Sequence, residues 1–97
     1  MAVALVAAHY PSSERFEVFV GRVQRVAALM RATPGCRSAQ CWCTAAGDAV
    51  ISIAEWDDDD ARRASFSAAR AGGVDFDRHD DEVRPRTIYS LTTPETT

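Results

Sequence analysis

The hydrophobic and polar positions of this chain follow two alternating periods, and the switches between them mark its elements. From Val3 to Tyr10 nearly every residue is apolar, as in a strand buried on both faces. Val3, Leu5 and Ala7 project one way, and Ala4, Val6, Ala8 and Tyr10 the other. Pro11-Ser12-Ser13-Glu14 then opens a helix, with a serine as N-cap and Glu14 and Glu17 near the positive end of its dipole. Phe16, Phe19, Val20, Val23, Val26, Ala27 and Met30 recur at steps of three and four, giving one apolar face. Thr33-Pro34-Gly35 stops that helix. Residues 36 to 45 read as a second strand, with Trp42 on the face opposite Cys41 and Cys43. Ala46-Gly47-Asp48 is a hairpin turn, and 49 to 56 a third strand. Asp57 to Asp60 begin a second helix that runs to about Arg70, ahead of Gly72-Gly73. A short irregular or helical piece covers Val74 to Val83. Arg86 to Thr92 form the last strand, and 93 to 97 a frayed tail.

The order β-α-β-β-α-β predicts one α+β domain over residues 1–97, a ferredoxin-like split βαβ sandwich. Right-handed crossovers put both helices on the same sheet face. The third strand raises the question of which face. Ile51 and Ile53 share one side and are expected to meet the helices. Val50, Ser52, Ala54 and Trp56 share the other. In the last strand Ile88 and Ser90 oppose Tyr89 and Leu91. The face turned from the helices thus carries apolar groups, each large one gaining about 1.5–3 kcal/mol if buried. A second copy, packed sheet to sheet in a two-fold homodimer, is the simplest cover. Small Ser52, Ala54 and Ala8 would then leave a cavity between the two sheets, bordered by Trp56.

Charge and composition narrow the function classes. A formal net charge of -3 gives no electrostatic reason to expect nucleic acid or an anionic membrane. The start is apolar but short, lacks a basic leading segment and soon meets Pro11, so it reads as a strand rather than a signal peptide. No apolar run approaches the roughly 18 residues of a membrane span, and a cytoplasmic protein is expected. Three cysteines, without the Cys-x-x-Cys spacing of structural zinc, read as small buried thiols. The Asp57–Asp60 run complements a helix dipole and needs no metal. Arg84 and Arg86 flank Pro85 and suit pairing with the acidic run ending at Glu82.

Chemistry falls to few side chains. His9 and His79 are the only two histidines, the groups whose ordinary pKa lies near neutrality, and hence the natural general bases. Tyr10 and Tyr89 carry hydroxyls able to donate hydrogen bonds, and Trp56 has an indole N–H that needs a partner.

Three stretches, Thr33-Pro34-Gly35-Cys36-Arg37-Ser38-Ala39-Gln40, Ala49 to Asp57 and the helix through Phe66, carry a likeness. The Pro-Gly-x-x-Ser stretch followed by a Glu-Trp-acid strand end resembles the antibiotic biosynthesis monooxygenase group of dimeric α+β barrel proteins. The resemblance implies a homodimer that binds a small aromatic substrate. It also implies a cofactor-independent monooxygenase, with molecular oxygen as co-substrate, that turns a phenolic or anthrone-type polyketide into a quinone. Trp56 matches the tryptophan assigned to the site in actinorhodin-type members. An asparagine four residues before it is Ser52 here, and a tyrosine six residues after it is Arg62. The haem-degrading branch carries an asparagine on its first strand, where this chain reads Ala7-Ala8-His9. Its second-helix tryptophan falls at Ser65 or Phe66, and only its histidine finds a match, in His79; haem breakdown is not implied. The resemblance carries a site role onto Trp56; together with the residue chemistry it makes His9, His79 and Trp56 the catalytic candidates, and Ser52, Tyr10, Tyr89, Phe66 and Arg62 the candidate substrate contacts. Cofactor-free polyketide cyclases of the same barrel, and a non-catalytic ligand-binding dimer, are the alternatives.

Overall fold

Four strands and two helices form where the periodicities place them, in a computed structural model that describes residues 1–78 and 81–94. Strand β1 spans Val3–His9, β2 Cys36–Cys43, β3 Val50–Trp56 and β4 Thr87–Thr92. Helix α1 spans Phe16–Arg31 and α2 Asp59–Ala71. The sheet order is β2-β3-β1-β4 with every neighbouring pair antiparallel, the ferredoxin-like arrangement. Both helices lie on one face and touch each other. Among the described residues no helix is long and apolar enough to cross a membrane.

Local chemistry explains the boundaries. Ser12 makes no side-chain cap; a 3-10 turn over Ser13–Arg15 leads into α1 instead. Helix α2 is capped as the acidic run suggests, with the Asp58 carboxylate accepting from Ala61 N–H at 2.8 Å. Two other acids of that run are taken up by arginines: Asp57 by Arg37 at 2.6 Å, and Asp59 by Arg62 at 2.8 Å and Arg63 at 3.0 Å. Between α1 and β2 the chain turns at Gly35, whose φ of 85° lies in the left-handed region. A Cβ there would sit 2.6 Å from the Ala61 Cβ, so glycine lets the turn pack against the start of α2. The Gly35 carbonyl accepts from Asp57 N–H at 2.9 Å, which ties the two helix boundaries together.

The core corrects the facing read from the third strand. Val50, Ala54 and Trp56 are buried against the helices, in clusters with Phe19, Val23, Ala27 and Met30 of α1. Register places Val3, Leu5, Ala7 and His9 beside them on the same face, opposite Trp56, Ala54, Ser52 and Val50. Ile51 and Ile53, expected under the helices, lie on the other face, paired with Ala8 and Val6. The reason is volume. Phe19 and Met30 from α1 already supply bulk, so the inner face accepts small alanines beside one indole. That indole gains most from being dry. Trp42 (56% exposed), Tyr89 (58%) and Leu91 (44%) occupy the outer face. Cys36 and Cys41 are half-buried, and burial pushes both thiols up from the ordinary value. Cys43 is exposed, contrary to its reading as a buried thiol, because it ends strand β2 beyond the helix cover.

Candidate active site

The void lies on the helix side of the sheet, within the single chain, and not between two sheets as the sequence suggested. It measures about 430 Å3, within the range of small-molecule sites. Leu5 and Ala7 of β1, Ser52, Ala54 and Trp56 of β3, and Ile88 of β4 form its floor. Phe19, Val23, Ala27 and Met30 of α1 and Phe66 of α2 form its roof, and Phe76 closes one end. The hollow exists because Ala7, Ala27, Ala39 and Ala54 meet where larger side chains would fill the layer. A second groove, between α1 and the edge strand β2, is open to solvent and lined by Gln24, Arg31, Gln40 and Trp42. It holds no titrating base, and the mainly apolar void is the stronger site.

Trp56 is fully buried. Its Nε1–H donates to Ser65 Oγ at 2.7 Å, so the polar edge is satisfied within the protein and the ring serves as wall. Phe66 lies 6.0 Å from it, centroid to centroid, and Phe76 4.8 Å from Phe66. These three rings give an aromatic flank against which a flat molecule can stack.

His9 ends β1 and lines the same cavity, its ring 5.1 Å from Phe19. Its Nδ1 sits 3.3 Å from Glu82 Oε1, and the Glu82 side chain is only 2% exposed. Tyr10 N–H donates to that same Oε1 at 3.2 Å, and Arg86 Nε donates to Oε2 at 2.8 Å. Arg86 also donates through Nη1 to the Phe76 carbonyl at 3.0 Å. Backbone bonds hold the segment in place: Ser12 N–H to the Asp81 carbonyl at 3.0 Å, and Val83 N–H to the Tyr10 carbonyl at 2.8 Å.

The mouth is rich in guanidinium groups. Arg22, Arg25, Arg78 and Arg86 line it with Asp75. Asp81 is shared by Arg22 at 2.5 Å, Arg15 at 3.2 Å and Arg78 at 3.6 Å. The Arg22 hydrogen bond chiefly holds the Asp81 carboxyl below its ordinary range.

Of the residues singled out from sequence, the fold brings His9, Trp56, Ser52 and Phe66 to the cavity. It leaves Tyr10, Tyr89 and Arg62 out of its lining. Tyr89 neighbours the cavity residue Ile88, and strand alternation turns it to the outer face. The Arg84 guanidinium stacks over the Tyr10 ring at 3.8 Å. Arg62 pairs with Asp59 on α2. His79 lies outside the described residues. Sequence reasoning missed Glu82 and gave Ser65 no role. Ser65 carried a signal, since it is a polar residue at helical spacing between Ala61 and Ala69 on the inner stripe of α2. Glu82 carried none that set it apart from its acidic neighbours.

Comparison with known proteins follows the same geometry. The sequence model of the family described as antibiotic biosynthesis monooxygenase matches residues 2–72. No curated protein sequence matches the chain. Among solved structures, Rv0793 from Mycobacterium tuberculosis is similar at 18% identity and TM-score 0.78, covering 99% of this chain and 98% of that one. PA3566 from Pseudomonas aeruginosa is similar at 15% identity and TM-score 0.77, over 97% and 95% of the two chains. SnoaB, a cofactor-independent oxygenase from Streptomyces nogalater solved as an asparagine-to-alanine mutant, is similar at 19% identity and TM-score 0.68, over 98% and 95%. At these identities the solved structures speak for the fold, and the match over most of the sequence decides the grouping: this chain belongs to the antibiotic biosynthesis monooxygenase family.

Proposed function

We propose that the chain is a cofactor-independent monooxygenase that oxidises a phenolic or anthrone-type aromatic substrate to a quinone. One observation carries the reading: a mainly apolar cavity, open at an arginine-lined mouth, with an imidazole, His9, in its wall. Family membership and the cofactor-independent oxygenase among the similar structures support it.

The chemistry needs little from the protein beyond this. The substrate stacks along Trp56 and Phe66, with the Ser52 hydroxyl available to an oxygen of the ring. His9 removes a proton from the activated carbon or its enol, leaving a delocalised anion. That anion gives one electron to dioxygen, and the resulting pair recombines to a carbon-bound peroxide, which takes the proton back from the His9 imidazolium to become a hydroperoxide. Loss of water leaves a carbonyl, so one oxygen atom enters the quinone and the other leaves as water. A dry apolar wall strengthens the electrostatics of the proton transfer, and confinement holds the reacting pair together.

Oxygen uptake with an anthrone tests the reading. Expected is one dioxygen consumed per quinone formed, unaffected by chelators and lost in His9→Gln. Product formed equally under argon would replace oxygenation with cyclisation. Ligand-induced thermal stabilisation without turnover across a phenolic panel would reduce the cavity to a binding site.

The same reading includes a homodimer. Trp42, Tyr89 and Leu91 stand exposed on the outer face beside Ile51, Ile53 and Val6, a contiguous apolar surface of the kind that seeks a partner. A second copy placed there buries this face and leaves the cavity on the far side untouched. Sedimentation is expected to give a dimer at micromolar concentration, and a monomer for Trp42→Glu combined with Leu91→Glu; a monomeric wild type refutes it.

A further inference from the structure

We infer that Glu82 is a positioning residue that fixes the tautomer and charge of His9, with Arg86 holding Glu82 in place. The inference rests on His9 as the base of the proposed reaction.

The geometry runs outward from the imidazole. Glu82 Oε1 lies 3.3 Å from His9 Nδ1 and is nearly sealed from solvent, as is most of His9. A carboxylate facing Nδ1 favours the neutral tautomer with its proton on Nδ1 and the lone pair on Nε2. Nε2 is then the nitrogen that takes the substrate proton, and the nearby carboxylate stabilises the imidazolium that results. Glu82 cannot swing away. Arg86 grips Oε2 through Nε at 2.8 Å and through Nη2, while Tyr10 N–H holds Oε1 at 3.2 Å. Arg86 in turn is anchored on the Phe76 carbonyl at 3.0 Å. A buried carboxylate keeps its charge when it is paired and hydrogen-bonded in this way.

Other charges share the cavity with His9: Arg22 and Arg25 from α1, Asp75 and Arg78 from the segment after α2, and Arg86 ahead of β4. Arg22, Arg78 and Arg15 share Asp81. Among the described residues, Glu82 stands at ion-pair distance from the imidazole, where an opposite charge acts most strongly.

Glu82→Gln is a sharp probe because both carboxylate oxygens already receive donors. An amide NH2 turned toward His9 donates to Nδ1 and forces the opposite tautomer. Turned the other way, it faces the Arg86 guanidinium donor to donor. Either way the support for an imidazolium is lost.

The test reads the imidazole directly. Nitrogen NMR of the wild-type protein, with His79→Gln used to assign the two histidines, is expected to show the Nδ1–H tautomer at His9 above its pKa. In Glu82→Gln the His9 pKa falls, the acidic limb of the rate profile moves to lower pH, and kcat drops by about 100-fold or more with KM little changed. Glu82→Asp, which keeps the carboxylate, recovers part of the rate. An Nε2–H tautomer in the wild type, or a His9 pKa unmoved in folded Glu82→Gln, overturns the inference. Should Glu82→Gln fail to fold, the wild-type tautomer still decides. Activity surviving in His9→Gln would instead remove the base assignment, a separate failure that the tautomer measurement distinguishes.

Discussion

Replacing Ser65 with alanine isolates a single buried hydrogen bond under the site. Ser65 and Trp56 are both fully buried, and the indole N–H donates to Ser65 Oγ at 2.7 Å. Ser65→Ala leaves that donor without its acceptor in a dry layer, at a cost of about 1–3 kcal/mol. Alanine returns up to about 0.5 kcal/mol through its better helix propensity, so a net loss of about 0.5–3 kcal/mol is expected. For a chain of this size each kcal/mol moves Tm by about 4–8 °C. Trp56→Phe removes the donor as well, and the freed hydroxyl can turn back to the Ala61 carbonyl four residues earlier. The double variant should therefore cost less than the sum of the singles, by about 1 kcal/mol of coupling. Urea denaturation followed by far-ultraviolet circular dichroism measures all four corners of the cycle. A Ser65→Ala loss under about 0.5 kcal/mol, or strict additivity, would refute the claim that the indole is satisfied inside the protein.

Gly35→Ala combines a left-handed backbone with a Cβ placed 2.6 Å from that of Ala61; a loss of about 2–4 kcal/mol is expected in the same assay, and an unchanged midpoint would contradict the turn geometry. Ala54→Phe projects a ring into the void and should abolish thermal stabilisation by an anthrone analogue while leaving the circular dichroism spectrum intact; retained stabilisation would place the ligand elsewhere. Acid stability follows from Asp59 and Asp81, whose carboxyls are held low chiefly by Arg62 and Arg22 respectively. A folded pKa below the ordinary 3.8 contributes stability that is present above that value and lost as pH falls through the lower folded one. The urea midpoint should thus hold from neutrality to about pH 5 and drop below about pH 4, with a smaller drop in Asp81→Asn; an equal drop in that variant refutes its share.

The element order was legible because periodicity reports directly on local geometry. The short unbroken apolar run over Val3–His9 and the three-four spacing from Phe16 to Met30 mark a strand and a helix, and Pro34-Gly35 and Gly72-Gly73 punctuate them. Trp56 was conspicuous for its size at a strand end. Ser52 and Ala54 announced a hollow by being small, whereas Ala8, grouped with them, pairs with Ile51 on the outer face. What they could not announce was the side. Period two divides a strand into two faces without saying which one the helices cover, and hydrophobicity alone favoured Ile51 and Ile53. The helices chose the face of Trp56 instead, because Phe19 and Met30 complement alanines and an indole better than a second layer of isoleucines.

Sequence by itself determined the split βαβ order, the helix faces and the candidacy of His9, since each depends on neighbours a few residues apart. Only the tertiary structure decided that the cavity lies within the single chain, that Ser65 satisfies Trp56, and that Glu82 meets His9 across 73 positions of chain. Those contacts depend on register and on the closing of long loops. No local pattern encodes them, because their free energy is gained only when the whole sheet and both helices have come together.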